Sequence, residues 1–163
     1  AVLHRPRNWV GSDFGTDRPS IWFAFLSDLS SANLYDHKLV LRPKEKWEAS
    51  RVGAGTPPIK TEVGWLILYH GVDEAGIYRA GAAILKLDEP WKVIARSPQP
   101  VLEPKEPYEI KGDVSNVVFP EGAVVIGDRL LVFYGAADKF CCVASTSLSD
   151  LLEYLLTWGA VCE

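Results

Sequence analysis

Short apolar runs alternate with turn-forming residues along most of this chain. Six runs of four to ten residues are rich in β-branched and aromatic side chains. Each is bounded by Gly, Pro, Asp or Asn, which is the pattern of β-strands between turns. The chain is therefore predicted to be nearly all β. The predicted strands are Ile21–Leu26, Trp65–Tyr69, Tyr78–Leu87, Ala123–Ile126, Leu130–Tyr134 and Phe140–Thr146.

Two turns and one helix complete the predicted elements. Gly127-Asp128 lies between two strands, and glycine supplies the positive φ that a tight hairpin turn requires. Glu62-Val63-Gly64 before Trp65 is interpreted as the equivalent turn one unit earlier. Near the end, Ser149-Asp150 is expected to cap a helix over Leu151–Leu156, whose leucines share one face.

The chain contains a weak internal repeat. Leu41-Arg42-Pro43 recurs 61 positions later as Leu102-Glu103-Pro104, and the segment 69–73 recurs 65 positions later as 134–138. A unit of about 60 residues with about four short strands fits a β-propeller blade. On that period the chain holds about 2.6 units, fewer than the roughly four blades that propellers usually have. We expect one domain over residues 1–163, a partial propeller with a short C-terminal helix.

Composition and charge narrow the possible partners. The chain is 48% hydrophobic and 23% charged, as ordinary soluble domains are, and 17 basic against 21 acidic residues give a net charge of −4. No dense Lys/Arg cluster stands in the sequence to neutralise a row of phosphates, so no nucleic-acid partner is expected. The longest apolar runs are far shorter than the roughly 20 residues of a membrane span, so no membrane partner is expected either.

The cysteines point to a reducing compartment. Cys141, Cys142 and Cys162 are odd in number and have no metal-ligand spacing. We interpret them as reduced thiols, with a disulfide as the alternative, and expect a cytoplasmic protein without a bound metal. The role of the adjacent pair is open.

Three basic residues have settings that suit an anion. Lys60 follows a loop, residues 53–58, whose glycines allow close approach and whose prolines fix its shape. His70 comes at the end of an apolar strand and precedes Gly71. Arg5 stands beside Pro6, and its planar guanidinium suits bidentate contact with phosphate. For each of the three, a structural or solvated role is the alternative.

Two further polar residues suit a sugar. Asp138 follows small residues that leave room for a ligand, and a carboxylate can accept hydrogen bonds from sugar hydroxyls; the alternative is a turn former. Asn116 precedes an apolar strand, as a cap or a ligand contact. Most of the six tryptophans are expected to pack the core, although an exposed ring could stack on a sugar. The sequence has no convincing Ser/His/Asp triad, Walker loop or metal-ligand cluster.

Taken in order, five motifs resemble glycoside hydrolase family 130, the β-mannoside phosphorylases and related hydrolases. The resemblance runs from residue 3 to about residue 156, and the order of five motifs is more specific than any one of them. The motifs are Leu3-His4-Arg5-Pro6, Arg51 to Thr61, Gly64 to Val72, Asn116-Val117-Val118-Phe119-Pro120 and Tyr134-Gly135-Ala136-Ala137-Asp138.

The resemblance implies a fold, a reaction and a set of site residues. Members have a five-bladed β-propeller and cleave β-linked mannosides with inversion, using inorganic phosphate as co-substrate to release α-mannose 1-phosphate; no cofactor is implied. It implies that Arg5, Lys60 and His70 bind phosphate. Asp138, grouped with Asn116 and Tyr69, is implied to bind the sugar.

One departure from the family pattern leaves the activity of this chain open. The family's general acid is an aspartate in the first half of the propeller, and no position here matches that motif, so we assign no catalytic residue and expect the N-terminal blades to be absent. The chain is then a piece of a longer protein, associates with a second copy, or is completed by another chain. The alternatives to the phosphorylase are a non-catalytic carbohydrate-binding or assembly module and a hydrolase of the same family.

Overall fold

Three antiparallel β-sheets make up the computed structural model of the protein, which describes residues 1–28, 30 and 33–161. The first sheet has the order β1-β2-β3, the second β4-β6-β7-β8 with β5 paired to β6, and the third β9-β10-β11. The strands are β1 Val2–His4, β2 Ile21–Leu26, β3 Leu34–Leu41, β4 Arg51–Ala54, β5 Ile59–Lys60, β6 Trp65–Val72, β7 Tyr78–Leu85, β8 Val93–Arg96, β9 Val118–Ile126, β10 Arg129–Ala136 and β11 Phe140–Ser147. The helices are α1 Pro107–Ile110 and α2 Leu148–Trp158, with 3-10 turns at Ser12–Phe14 and Lys46–Glu48.

The mainly β prediction is confirmed, and all six predicted strands are present with adjusted ends. The strands whose apolar pattern is weak were not predicted. β3 carries the polar run Asp36-His37-Lys38, β4 contains Gly53, and β8 has only four residues. These strands are specified by the neighbours with which they pair, which a local pattern does not show.

Both predicted turns are confirmed. Gly127 adopts a φ of 61°, and the residues on either side of the turn, Ile126 and Arg129, pair across the β9–β10 hairpin. Before β6, the Thr61 N–H donates to the Gly64 carbonyl over 2.9 Å.

The C-terminal helix is longer than predicted and begins earlier. Ser147 caps it, because its Oγ accepts a hydrogen bond from the Asp150 N–H at 3.0 Å. The prediction that Ser149 provides the cap is therefore wrong by two residues. Leu151 and Leu155 are the residues of α2 that the fold buries.

The middle sheet lies between the other two. Successive side chains of β6 point to opposite faces, so Ile67 and Tyr69 pack toward the first sheet while Leu66 and Leu68 pack toward the third. Leu130 of β10 and the buried leucines of α2 complete the second of these cores. Because both faces of the middle sheet are covered, β6 and β7 are apolar almost throughout.

The thiols are free where the structure describes them. Cys141 is exposed and Cys142 half-buried on β11, and Cys162 lies outside the described residues. Across residues 1–28, 30 and 33–161, no group of three or more His, Cys, Asp or Glu side chains is arranged to hold a metal ion. In the same ranges no helix has the length and apolar character needed to cross a membrane.

Candidate anion and sugar site

Arg5 and His70 come from distant parts of the sequence and meet where the first two sheets adjoin. Arg5 directly follows β1, and His70 lies near the end of β6. Arg5 Nη1 is 3.1 Å from His70 Nε2. Because a guanidinium only donates hydrogen bonds, Nε2 is the acceptor and the imidazole proton is assigned to Nδ1. Two of the three expected phosphate ligands are in direct contact.

The surroundings of His70 keep its ring neutral. The side chain is 4% exposed, and Phe119 stacks on it with ring centroids 4.3 Å apart. Burial, followed by the positive charges of Arg5 and Arg51, lowers the pKa of His70 to about 3. Nδ1 faces the Ala54 backbone without a hydrogen bond of normal geometry. At neutral pH the ring orients Arg5 and adds no charge to the site.

Gly53 provides the space in which these two side chains meet. It lies in β4, opposite His70 of β6. A Cβ atom built on Gly53 would lie 2.5 Å from the imidazole and 2.8 Å from Arg5 Nη1. Glycine is therefore required here by close packing, and the sequence feature that marks it is the loop 53–58.

Arg51 is a site residue that the sequence analysis missed. Arg51 is the first residue of β4, and Tyr78 is the first residue of β7. These strands flank β6 on opposite sides, and both residues pair with Val72 of β6. Their side chains reach each other: Arg51 Nη2 donates to the Tyr78 hydroxyl, and the guanidinium carbon lies 5.2 Å from the ring centroid. The Tyr78 ring centroid is 6.1 Å from that of His70. Arg51 opens one of the motifs that carry the resemblance, which is the signal that could have identified it.

A cleft of about 490 Å³ has these arginines on its walls. Its lining includes no acidic residue, and among the described residues Arg5, Arg7 and Arg51 make no ion pair. Burial, followed by the positive charge of Arg51, lowers the pKa of Arg5. Such uncompensated cations favour a bound anion with several hydrogen-bond acceptors. The lining residues are Arg5, Arg7, Arg18, Pro19, Ser50, Arg51 and Tyr78.

Lys60 does not join this cleft. It is exposed and pairs with Trp65 at the start of β6, whereas His70 is the sixth residue of that strand. Five residues of extended strand span about 17 Å. The structure therefore separates Lys60 from Arg5 and His70, and the expected three-residue phosphate set is not assembled as such.

Asn116 lies beside Tyr78, and Asp138 lies on a turn that is joined to the residue after Asn116. The Asn116 carbonyl accepts a hydrogen bond from the Tyr78 N–H at 3.0 Å, and the next residue, Val117, accepts one from the Ala137 N–H at 3.0 Å. Asn116, Ala137 and Asp138 all have positive φ, at 59°, 49° and 52°. Ala137 and Asp138 form the tight turn between β10 and β11. Asp138 is thus a turn former with an exposed carboxylate, so the two alternatives for this residue are compatible.

Tyr69 has a different place from the one expected. Its side chain is fully buried, and its hydroxyl donates to Glu48 Oε2 at 3.0 Å and accepts from Arg96 Nη2 at 3.2 Å. Glu48 and Arg96 form a buried ion pair beneath it. Burial raises the pKa of Tyr69. The expectation that Tyr69 binds sugar is corrected accordingly: the side chain satisfies a buried carboxylate in the core.

The same arrangement recurs in the second unit of the repeat. Tyr134 donates to Glu109 Oε1 at 2.7 Å, as Tyr69 does to Glu48. Each glutamate also accepts hydrogen bonds from two backbone N–H groups just before its own turn of helix. The sequence signal was available, because Pro-Lys-Glu-x-aromatic-Glu occupies both 43–48 and 104–109.

Comparisons with known proteins agree on one family. The sequence profile of glycoside hydrolase family 130, described as beta-1,4-mannooligosaccharide phosphorylase, matches residues 14–156. A 1,2-beta-oligomannan phosphorylase of Thermoanaerobacter sp. is 47% identical over 134 residues, which are 82% of this chain and 45% of that protein. A beta-1,2-mannobiose phosphorylase of Listeria innocua is 41% identical over 162 residues, which are 94% of this chain and 45% of that protein.

A solved structure of similar sequence supports the same relationship. The Listeria innocua beta-1,2-mannobiose phosphorylase, in complex with beta-1,2-mannobiose, has a TM-score of 0.81 to this chain at 41% identity. The match covers 95% of this chain and 42% of that structure. The chain therefore spans less than half the length of these relatives.

Proposed function

Because this chain belongs to glycoside hydrolase family 130, we propose that it is part of a phosphorylase that cleaves β-linked mannosides with inorganic phosphate. The observation that carries the proposal is the cleft with uncompensated arginines. Arg5 and Arg51 stand on its walls, and neutral His70 orients Arg5 from behind. A cleft that can hold an anion favours phosphate over water as the nucleophile.

In this proposal the phosphate is held by Arg5 and Arg51, and Tyr78 fixes Arg51. Burying a multiply charged anion is costly unless several cations and donors converge on it. We propose Arg51, in place of Lys60, as a phosphate ligand beside Arg5. Arg51 lines the cleft, whereas Lys60 lies at the far end of β6. Asp138 and Asn116, on the neighbouring turn and loop, are proposed to face the sugar.

The proposed chemistry is a single displacement with inversion. A phosphate oxygen forms a bond to the anomeric carbon of the mannosyl unit as the glycosidic C–O bond breaks, and α-mannose 1-phosphate results. The departing glycosidic oxygen takes a proton from a general acid and leaves as a hydroxyl group. We propose no residue of this chain as that acid. We propose that polypeptide outside these 163 residues supplies that acid. We also propose that the protein is cytoplasmic, in keeping with the free thiols of Cys141 and Cys142.

Calorimetric titration of the chain with inorganic phosphate tests the anion site. We expect saturable binding that weakens by about tenfold or more in Arg5→Ala and Arg51→Ala, because each loses a charge-assisted hydrogen bond. Lys60→Ala is expected to bind phosphate as the unaltered chain does. Arg129→Ala is the matched control, since Arg129 contacts Ser145 on the third sheet, away from the cleft.

Two outcomes would overturn this assignment. If Lys60→Ala abolished binding while Arg51→Ala did not, the third ligand would be Lys60. If a folded chain, with its near-ultraviolet circular dichroism unchanged, bound a β-mannoside but no phosphate, the non-catalytic carbohydrate-binding module would be the better description.

A further inference from the structure

Among the residues that the structure describes, β11 forms an unpaired outer edge of the third sheet. It runs from Phe140 to Ser147, and all eight residues pair with β10 on the inner side. The strand contains no charged residue and no proline. An uncharged edge of this length leaves a row of backbone N–H and C=O groups open to another strand.

The internal repeat shows which strand of the middle sheet corresponds to β11. Tyr69 of β6 and Tyr134 of β10 occupy equivalent positions, because each donates to the buried glutamate of its own unit. On the next strand, Tyr69 pairs with Gly81 of β7 and Tyr134 pairs with Cys142 of β11. β7 and β11 are therefore equivalent, with an offset of 61 residues.

The strand β7 has an outer neighbour that β11 lacks. β8 pairs antiparallel with β7, with Ala83 opposite Arg96 and Leu85 opposite Val93. The offset places the equivalent docking positions of β11 at residues 144–146. Within residues 1–28, 30 and 33–161 no strand occupies that place. The chain continues instead into α2, whose buried leucines pack against the core between the second and third sheets.

The outer strand of the first sheet, in contrast, has features that disfavour the addition of another strand. This strand, β3, carries Asp36 and Lys38, whose side chains form an ion pair at 2.6 Å. Asp36 also has a φ of 53°, and the pairing of β3 with β2 is irregular. Charges and irregular backbone are the usual devices against strand addition. β11 has a continuous register with β10 and none of these devices.

We propose that the outer edge of β11 is a binding surface for one extended peptide strand, which adds antiparallel opposite residues 144–146. The occupant is a short aliphatic strand like β8, drawn from polypeptide other than the described residues. Main-chain hydrogen bonds would hold it, as in strand addition to other sheet edges. Exposed Val143 on the adjoining face gives an aliphatic side chain of the occupant something to pack against. This surface is independent of the phosphate site.

A peptide with the sequence of residues 91–98, which includes β8, is the probe. Its control has the same sequence with methyl groups on alternate backbone nitrogens, which removes donors without changing the side chains. We measure amide hydrogen exchange of the full chain by NMR. The unmodified peptide is expected to slow exchange by about tenfold or more at outward-facing amides of residues 144–146, because those amides gain a hydrogen bond. The β3 amides are expected to stay unchanged.

Three results would overturn the proposal. The first is no saturable protection at peptide concentrations up to the solubility limit. The second is equal protection by the methylated peptide, which would mean that side chains alone account for binding. The third is protection of the same β11 amides that grows with the concentration of the chain without peptide, which would identify a second copy as the occupant.

Discussion

At the residue scale, His70 shows how the fold changes what a side chain can do. A histidine at a strand end is a reasonable candidate for a cation that meets phosphate. In the structure, burial and two neighbouring guanidinium groups remove that charge, and the pKa of His70 falls to about 3. The neutral ring remains a hydrogen-bond acceptor for Arg5. Arg5 is then the cation that we expect to contact the anion.

This pKa predicts a pH dependence of stability. Below pH 6.5 the unfolded state binds a proton at this residue while the folded state does not, so the free energy of unfolding falls as the pH is lowered toward 3. From pH 7 to pH 5 the loss due to His70 is expected to be about 2 kcal/mol. Urea unfolding of the chain and of His70→Gln at both pH values measures it as the difference between the two losses. Equal losses in both proteins would contradict the assignment of a neutral, buried His70.

The residues of the site were predictable to different degrees. Arg5 and His70 carry recognisable motifs, and the structure joins them. Arg51 and Tyr78 were not predicted, because their contact depends on β4 and β7 flanking β6 in one register. The position of Lys60 also depends on the fold: the motif that contains it is continuous in sequence, but its residues pair along the length of β6.

At the element scale, the repeat is held together by a tyrosine and a glutamate in each unit. The carboxylate of Glu48 is fully buried and accepts from backbone N–H groups, Arg96 and Tyr69. Glu109 is buried in a similar way and accepts from Tyr134. Each glutamate fixes a turn of helix against the strand that carries its tyrosine. The period of the repeat was visible in the sequence, but the partner of each tyrosine required the structure.

Tyr69→Phe is expected to destabilise the chain without affecting ligands. Removing the hydroxyl leaves the buried Glu48 with one donor fewer, which costs about 1–3 kcal/mol of unfolding free energy. Tyr134→Phe is expected to act in the same direction through Glu109. Tyr35→Phe is the matched control, because Tyr35 is 53% exposed and is expected to change the unfolding free energy by less than about 0.5 kcal/mol. Urea unfolding gives the three values. Unaltered stability of Tyr69→Phe together with weakened mannoside binding would restore the sugar-binding role.

At the scale of the whole molecule, the average composition gives no sign of the arginine-lined cleft. The net charge is −4, and the sequence contains no dense basic cluster. Folding nevertheless brings arginines from three segments to the walls of one cleft: Arg5 and Arg7, Arg18, and Arg51. Composition averages over the whole surface, whereas this positive patch is one cleft wide. It gave no information on a small anion, whose site depends on tertiary structure alone.

The length of the chain relative to its relatives bears on whether it is active alone. The chain spans 45% of the Listeria innocua phosphorylase that it matches. We propose that it carries the phosphate site and that the general acid lies outside it. We therefore expect the chain alone to bind phosphate but to form no α-mannose 1-phosphate from a β-mannobiose, since protonation of the leaving oxygen contributes about 10²–10⁴-fold to such reactions. ³¹P NMR of the reaction mixture detects the product directly.

Adding the part of the Listeria innocua enzyme that this chain does not match provides the second arm of that experiment. Product is expected only when both pieces are present, because the acid then reaches the site that holds the phosphate. The same mixture with Arg5→Ala is the matched control and is expected to lose activity in parallel with phosphate affinity. Turnover by the chain alone, in a preparation shown by light scattering to be monomeric, would place the acid within these 163 residues and refute the division of labour proposed for the two halves.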